Sequence, residues 1–399
     1  MRVFGIICEY NPFHCGHKWQ LDELRRRNGT EECGIVCAMS GEFVQRGDFA
    51  IERAHARAEA AVRGGADLVL ELPLPWSIAS AEGFARGGVG VLNATGIVDT
   101  LVFGSECGET EKLRRAAEAL LREDFSERLR DELSKGLSFA AARESAARAL
   151  IGEDAGVLAE PNDILGVEYC KVLLQSGSSI TPLAMERRAV GHNEGEAGGF
   201  ASASYIRALL AGGEDASAFL TAESAAIYAR ECAAGRAPVT MKGAERAMLS
   251  RLRMLEEADF ARYDSGGEGL YRRFYAAVRT AASVDELLGT VKTKRYAYAR
   301  LRRMLLAAYL DIAAAELPQE IPYLRILACN ERGRMLLRAI KNEGSAPVLT
   351  KSADVRSLSE EAQRLFALSA RACDQYVLAY PELRAAKGGG AWTQGPVIV

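Results

Sequence analysis

Glu9-Tyr10-Asn11-Pro12-Phe13-His14-Cys15-Gly16-His17 joins an apolar run, Val3 to Cys8, to a helical pattern running from Lys18 to Arg27. The run Val3-Phe4-Gly5-Ile6-Ile7-Cys8 is short and apolar, so it reads as a buried strand. Leu21 and Leu24 supply the inward face of the helix, and Asn28-Gly29 stops it. Two histidines flanking a glycine therefore stand at a strand-to-helix turn. A helix N-terminus offers unpaired N–H groups and the positive end of the dipole, which suits phosphate. Imidazoles add directed donors there, and Gly16, without a Cβ, lets a ligand approach the backbone. The plainer alternative is a turn whose histidines only cap the helix. A metal reading would use Cys8, His14, Cys15 and His17, but their spacing matches no common zinc pattern, so no metal site is assigned.

Outward from this turn, the first half alternates strands and helices. Strands are expected at Val3–Cys8, Gly34–Met39, Leu68–Leu72, Thr100–Phe103 and Ile180–Met185. Helices are expected at Ile51–Arg63, Ala79–Leu92, through Thr110 to Leu150, and at Asp163–Leu174. This rhythm predicts an α/β fold, a doubly wound parallel sheet whose ligands sit at the carboxyl ends of the strands. Several polar turns fall at such ends. Met39-Ser40-Gly41 runs on to Gln45-Arg46-Gly47, and Gly104 follows the fourth strand, where it reads either as a turn glycine or as room for a base or ribose. Arg187 and Arg188 follow the fifth strand. Ser202-Ala203-Ser204-Tyr205-Ile206-Arg207 opens a further helix, either as plain N-cap material or as a second phosphate site.

From about residue 216 the β signal fades and helical patterns dominate, with a small insertion expected between Tyr323 and Leu349 carrying a short strand near Pro347–Leu349. The expected division is an α/β domain with the phosphate-binding turns over 1–214, a helical domain over 215–384 and a flexible tail over 385–399. One basic stretch, Lys292-Thr293-Lys294-Arg295-Tyr296-Ala297-Tyr298-Ala299-Arg300-Leu301-Arg302-Arg303, interleaves cations with aromatics. With Leu301, Leu305 and Ala308 turned inward, Arg295 and Arg302 are expected on one outer face near Tyr296 and Tyr298. Such a face suits single-stranded RNA through phosphate pairing and base stacking, and otherwise it is a solvated helix surface. Lys292, Lys294, Arg295 and Arg302 are the candidate RNA contacts.

The 399 residues carry a net charge of −3, so any nucleic-acid binding has to use a local patch. Nine unpaired-looking cysteines and no signal peptide point to a reduced, cytoplasmic protein. No apolar run is long enough for a membrane span.

Taken together, these motifs resemble the tRNA(Met) cytidine acetate ligases, a branch of the HxGH nucleotidyltransferase-like proteins. The resemblance begins at Gly5–His17 and continues in Met39-Ser40-Gly41, Gln45-Arg46-Gly47 and Asp67–Pro73. It runs on through Phe103-Gly104-Ser105-Glu106, Pro161–Tyr169, Ser202–Arg207 and Lys294-Arg295-Tyr296. Cys15 stands where the family often has asparagine, and Gln20 where a third histidine is frequent. The resemblance implies a Rossmann-like (HUP-type) sheet followed by a helix-rich C-terminal domain. It implies that ATP and acetate form acetyl-adenylate and pyrophosphate, and that the acetyl group then passes to N4 of the wobble cytidine of elongator tRNA(Met). Mg2+ is expected to bridge the phosphates. His14 and His17 are the implied catalytic pair. The implied ATP contacts are Ile7, Cys8, Glu9, Tyr10, Asn11, Pro12, Phe13, His14, Cys15, Gly16 and His17, with Gln20, Gly104, Asn162, Arg187, Ser202 and Ser204. Two rival readings are an adenylyltransferase of cofactor synthesis and a non-catalytic RNA-binding protein on the same fold. The intact His14/Gly16/His17 and Ser202/Ser204/Arg207 sets argue against the second.

Overall fold

Apolar runs with side chains facing both ways need cover on two sides, and the chain supplies it. The computed structural model describes residues 1–28, 33–187, 196–197, 200–264, 266, 269–313 and 319–399. Strands β1 (Arg2–Cys8) and β2 (Cys33–Ser40) lead to a small hairpin, β3 (Phe43–Val44) and β4 (Asp48–Phe49). Strands β5 (Leu68–Leu72), β6 (Thr100–Ser105) and β7 (Thr181–Glu186) follow. Helices α1 (Cys15–Asn28), α2 (Ala54–Arg63) and α3 (Ala81–Ala94) make the early crossovers, and α4 (Thr110–Leu120), α5 (Glu123–Ser134), α6 (Phe139–Ile151) and α7 (Pro161–Gln175) lie between β6 and β7.

The expected five strands pair in parallel in the order β5-β2-β1-β6-β7. Their alternation sorts the core. Phe4, Ile6, Ile35, Cys37 and Met39 meet Leu21 and Leu24 of α1 and the alanines of α2. Val3, Ile7, Val36 and Ala38 meet α3, α4 and α7 on the opposite face. The chain reverses direction of growth between β1 and β6, so the ligand crevice of this topology lies beyond Cys8 and Ser105.

After a second short hairpin, β8 (Glu196–Ala197) and β9 (Phe200–Ala201), come α8 (Ala203–Gly212), α9 (Ala222–Ala233), α10 (Glu245–Arg253), α11 (Glu257–Tyr263), α12 (Leu270–Thr280), α13 (Val284–Val291) and α14 (Tyr298–Leu310). Helices α10 to α14 build their own core, and Phe43 and Phe49 of the β3–β4 hairpin are part of it. Phe49 stacks on Tyr376 with ring centroids 5.9 Å apart.

Two expectations need correction. The helix-rich half returns to the sheet: β10 (Leu324–Cys329), α15 (Glu331–Glu343), β11 (Val348–Leu349), α16 (Glu360–Tyr376), α17 (Gly390–Thr393) and β12 (Val397–Ile398) complete the order. β10 lies antiparallel to β5, and β11 and β12 both pair with it, giving eight strands. Arg325 hides this strand from a reading by hydropathy. It is tolerated there because Glu71 lies 3.2 Å from its guanidinium and both are buried. The tail is also structured rather than loose. Gly389 N–H donates to Asp374 Oδ1 at 2.6 Å, the Trp392 ring packs 4.6 Å from Phe366, and β12 extends the sheet.

Candidate active site

The turn after β1 is clamped by groups far away in sequence. Arg57, fully buried on α2, donates to the carbonyls of Glu9, Ser40 (3.1 Å), Gly41 and Glu52 (3.0 Å). Asn11 Oδ1 accepts from Ile51 N–H at 2.8 Å. The Asn11 carbonyl accepts from Arg207 at 2.7 Å, and the Phe13 carbonyl accepts from Ser224 Oγ at 2.7 Å. Asn11–Pro12 is a cis peptide bond, and Tyr10 holds φ +43°, a region costly for a bulky residue unless packing enforces it. Tyr10 and Phe13 are buried against each other, edge to face at 5.1 Å. Ile7, Tyr10 and Phe13 thus serve the core, and Asn11 shapes the turn.

His14 and His17 stack above this floor, ring centroids 3.7 Å apart and 27° from parallel. His14 Nδ1 accepts from Gly16 N–H at 3.1 Å, and His17 Nδ1 accepts from His14 N–H at 3.3 Å. Two backbone donors expected to face a phosphate are therefore taken up by the imidazoles. Burial, with help from Arg187 and Arg207, pushes His14 down to about 3. Burial, the His14 ring and Arg187 hold His17 well below its ordinary value. Both rings are neutral at physiological pH. Since each Nδ1 is an acceptor, each proton sits on Nε2, which makes Nε2–H the available donor. The helix-capping alternative and the catalytic one are both realised, by different nitrogens of the same rings.

The other implied contacts converge here in part. Glu106 and Asp163 exchange hydrogen bonds between the end of β6 and the start of α7. Glu106 Oε2 accepts from Asp163 N–H, and Asp163 Oδ1 accepts from Glu106 N–H, both at 2.9 Å. That fixes Asn162, whose amide donates to Glu106 and whose Oδ1 accepts from Arg187 at 3.3 Å. A Cβ on Gly104 would come within 3.1 Å of Arg187 Cγ. Gly104, Asn162 and Arg187 thus form one group, and Arg187 is close enough to depress both histidines. Arg188 lies outside the described residues. Ser202 Oγ caps α8 by accepting from Tyr205 N–H at 3.2 Å, and Ser204 Oγ accepts from Arg207 at 3.2 Å. Neither hydroxyl is idle, and the group they deliver to the turn is Arg207. Cys8 and Cys15 are pushed up as thiols, mainly by burial. Gln20 lies half-buried one turn beyond His17.

Arg207 also sits within electrostatic reach of Arg46 and Arg302, and of Glu9 and Asp48. Arg302 pairs with Asp48 on β4 at 3.0 Å. Gly47, at φ +74°, sits so close to this helix that a Cβ would fall 2.5 Å from the Arg303 nitrogen. Glu9 Oε1 accepts from Gln45 N–H at 2.7 Å. Arg46, Arg187, Arg207 and Arg302 thus crowd an edge carrying two nearby carboxylates, a locally positive edge in a chain of net charge −3. Arg207 and Arg46 were visible as motif residues, but nothing local in sequence shows that Arg302 belongs beside them.

The basic stretch does not form one helix face. Helix α14 starts only at Tyr298, so Lys294 and Arg295 are exposed ahead of it while Arg302 turns toward β4. Lys292 Nζ donates to the Thr293 and Tyr296 carbonyls, each at 2.7 Å. Tyr296 is buried under Arg300, 5.2 Å from its ring centre, so only Tyr298 is open to stack on a base. Leu301, Leu305 and Ala308 are buried as expected. Among the described residues no cluster of three or more His, Cys, Asp or Glu side chains is arranged to hold a metal ion. All nine cysteines are free, and no described helix is long and apolar enough to cross a membrane.

Comparison with known proteins places this geometry. The family model described as HIGH Nucleotidyl Transferase matches residues 1–389. A tRNA(Met) cytidine acetate ligase of Acetivibrio thermocellus is 36% identical over 420 aligned positions covering all of both chains. That of Fervidobacterium nodosum is 37% identical, covering 92% of this chain and 88% of its own. The crystal structure of Thermotoga maritima TmcAL bound with alpha-thio ATP superposes with a TM-score of 0.93 at 32% identity, covering 100% of this chain and 99% of the other. Its apo form gives 0.95, with both chains fully covered. With the stacked histidines at the switch point and this likeness over its whole length, the chain belongs to the tRNA(Met) cytidine acetate ligases, within the HIGH nucleotidyl transferases.

Proposed function

We propose that this protein activates acetate with ATP and transfers the acetyl group to N4 of the wobble cytidine of elongator tRNA(Met). The observation that carries the proposal is the His14–His17 stack, which presents two neutral Nε2–H donors beside Arg187 and Arg207. An acetate oxygen attacks the α-phosphorus, the bond from that phosphorus to the β-phosphate oxygen breaks, and pyrophosphate leaves. Negative charge grows on the α-phosphoryl oxygens, where pre-aimed donors stabilise it. Neutral donors suit this step because they need not be charged within a desolvated site. Acetate is repelled by triphosphate, and the arginine-rich edge offsets that repulsion and aligns the reactants. N4 of the cytidine then attacks the acetyl carbonyl, AMP departs and N4 loses a proton.

His14, His17, Gly104, Asn162, Arg187 and Arg207 line the nucleotide in this reading, with Glu9, Cys15, Gly16 and Gln20 at its border. Mg2+ would be held by the triphosphate itself and would supply charge neutralisation there, with Arg187 and Arg207 beside it. Exposed Lys294 and Arg295, with Tyr298, grip the RNA, while Lys292 supports their turn and Arg302 links the helical half to the nucleotide edge. Residues 1–214, with β10 and β11 added to their sheet, form the activating unit and helices α9 to α14 the RNA-binding one, in a cytoplasmic protein. Incubation with ATP, labelled acetate and total tRNA, followed by nuclease digestion, tests this. Labelled N4-acetylcytidine is expected, and adenylate formation without any labelled nucleoside would overturn the acceptor assignment.

A further inference from the structure

Beside the adenylating turn, along the same sheet edge, lies a second cavity that the reaction above does not use. Its floor comes from the ends of β2 and β5, from β10 and from α2; α16 forms one wall and the C-terminal tail the roof. It joins the active turn through Arg57, which holds the carbonyls of both Gly41, a lining residue, and Glu9. The cavity measures about 160 Å3, close to the ~150 Å3 of engineered cavities that admit one six-membered ring.

Its polarity is graded. At the floor, Glu71 and Arg325 form a pair whose side chains are each 9% exposed. His55, 6% exposed, lines the floor, and its Nε2 is buried there with no hydrogen-bond partner among the described residues. A buried imidazole nitrogen left unpaired costs free energy that a ligand's polar group recovers. Burial, followed by Arg325, Arg53 and Arg57, pushes His55 down to about 3, so it is a neutral hydrogen-bonding group. Glu42 Oε2 accepts from Ala54 N–H at 2.9 Å, whereas among the described residues Oε1 has only the Cys373 thiol, 3.8 Å away. Apolar Leu74, Leu327 and Val377 and the Tyr380 ring make the walls. Cations take the mouth: Arg236 is 29% exposed, its Nε held by buried Glu231 at 2.7 Å, and Lys387 is exposed.

A slot with apolar walls, hydrogen-bonding groups at its floor, where Glu71 pairs with Arg325, and cations at its mouth has the polarity of a nucleotide, base inward and phosphate outward. We propose that this cavity receives one unstacked, amino-bearing base of the RNA substrate, its exocyclic amine on Glu42 Oε1, its ring edge on His55 Nε2 and its phosphate at Arg236 and Lys387. The inference rests on the RNA acceptor proposed above. The base held here is not the reacting one, whose amine has to face the acetyl-adenylate, so the cavity serves substrate selection. RNA recognition by splayed bases commonly works this way.

Fluorescence anisotropy with a tRNA(Met) anticodon stem-loop, and acetate-dependent pyrophosphate exchange, are measured on the same preparations. Glu42→Gln puts an amide where an acceptor is needed and weakens stem-loop binding about ten- to a hundredfold, with exchange within twofold of wild type. Arg236→Ala, which leaves Glu231 paired with Arg53, weakens binding and reduces the salt slope by about one. Mass-spectrometric labelling of Cys373 by methyl methanethiosulfonate reports occupancy directly, and the stem-loop slows it while ATP alone does not. Unchanged stem-loop affinity in both variants overturns the proposal, as does protection of Cys373 by ATP, or an equal loss of exchange and binding. Protection by free cytidine monophosphate but not by the stem-loop would assign the cavity to a free nucleotide and overturn the RNA assignment. If wild type itself neither binds the stem-loop nor acetylates tRNA, it is the proposed function that fails.

Discussion

The two nitrogens of His17 do different work, and two substitutions separate them. Asparagine places its amide oxygen near the position of Nδ1, and glutamine places its amide nitrogen near that of Nε2. His17→Asn keeps an acceptor for His14 N–H, now met at 3.3 Å by Nδ1, and removes the outward donor. His17→Gln keeps a donor near the α-phosphate and leaves that N–H without its partner. Loss of one pre-aimed donor costs about 10²–10³ in rate, or roughly 3–4 kcal/mol of transition-state stabilisation. Loss of the acceptor for a partly buried N–H costs about 1–3 kcal/mol of stability. His17→Asn is therefore expected to melt near wild type and to exchange pyrophosphate about 10²–10³ more slowly. His17→Gln should melt several degrees lower and retain within about tenfold of wild-type exchange. Thermal unfolding and acetate-dependent exchange of labelled pyrophosphate into ATP measure both. Equal exchange in the two variants, or the reverse order, would refute the assignment of Nε2–H as the donor.

Reversing Arg302 to Glu should impair adenylate formation as well as tRNA acetylation, because Arg302 pairs with Asp48 beside Glu9 and Arg207; reversing Lys294 and Arg295 should impair acetylation alone, with a shallower salt dependence in a binding assay. Arg57→Lys should lower stability by at least ~3 kcal/mol, since an ammonium cannot span the four carbonyls that the guanidinium joins; denaturant unfolding reads this out. His55 is held down to about 3 in the fold, against an ordinary 6.5. Below pH 6.5 the unfolded chain takes up a proton that the folded one refuses, so stability falls as pH falls through the window from 6.5 to 3. At pH 5 the deficit is at most ~2 kcal/mol relative to pH 8, and His55→Gln should remove that share of the pH dependence of Tm.

The parallel sheet was legible because its signals are local. Each of the five strands is a short apolar run bounded by turn residues, and each crossover helix carries its own periodicity. The His14-Cys15-Gly16-His17 turn was legible for the same reason, as a polar motif between two such elements. β10 was not, since Arg325 breaks its apolar run and is neutralised by Glu71, 254 positions away. The tail read as loose because its glycines say nothing of Asp374 or Phe366, which hold it. The basic stretch stayed open between an RNA-facing surface and a solvated helix face because periodicity cannot tell which cations a distant carboxylate will claim.

Sequence alone therefore determined the strand-helix alternation, the turn at the switch point and the identity of its chemical groups. Tertiary structure decided which nitrogen of each histidine faces the ligand and which arginines crowd the nucleotide edge. It also decided that the final residues roof a second cavity. The physical reason is range: a strand or helix is specified by neighbours a few residues apart, whereas protonation, pairing and enclosure depend on groups that only the folded chain brings together.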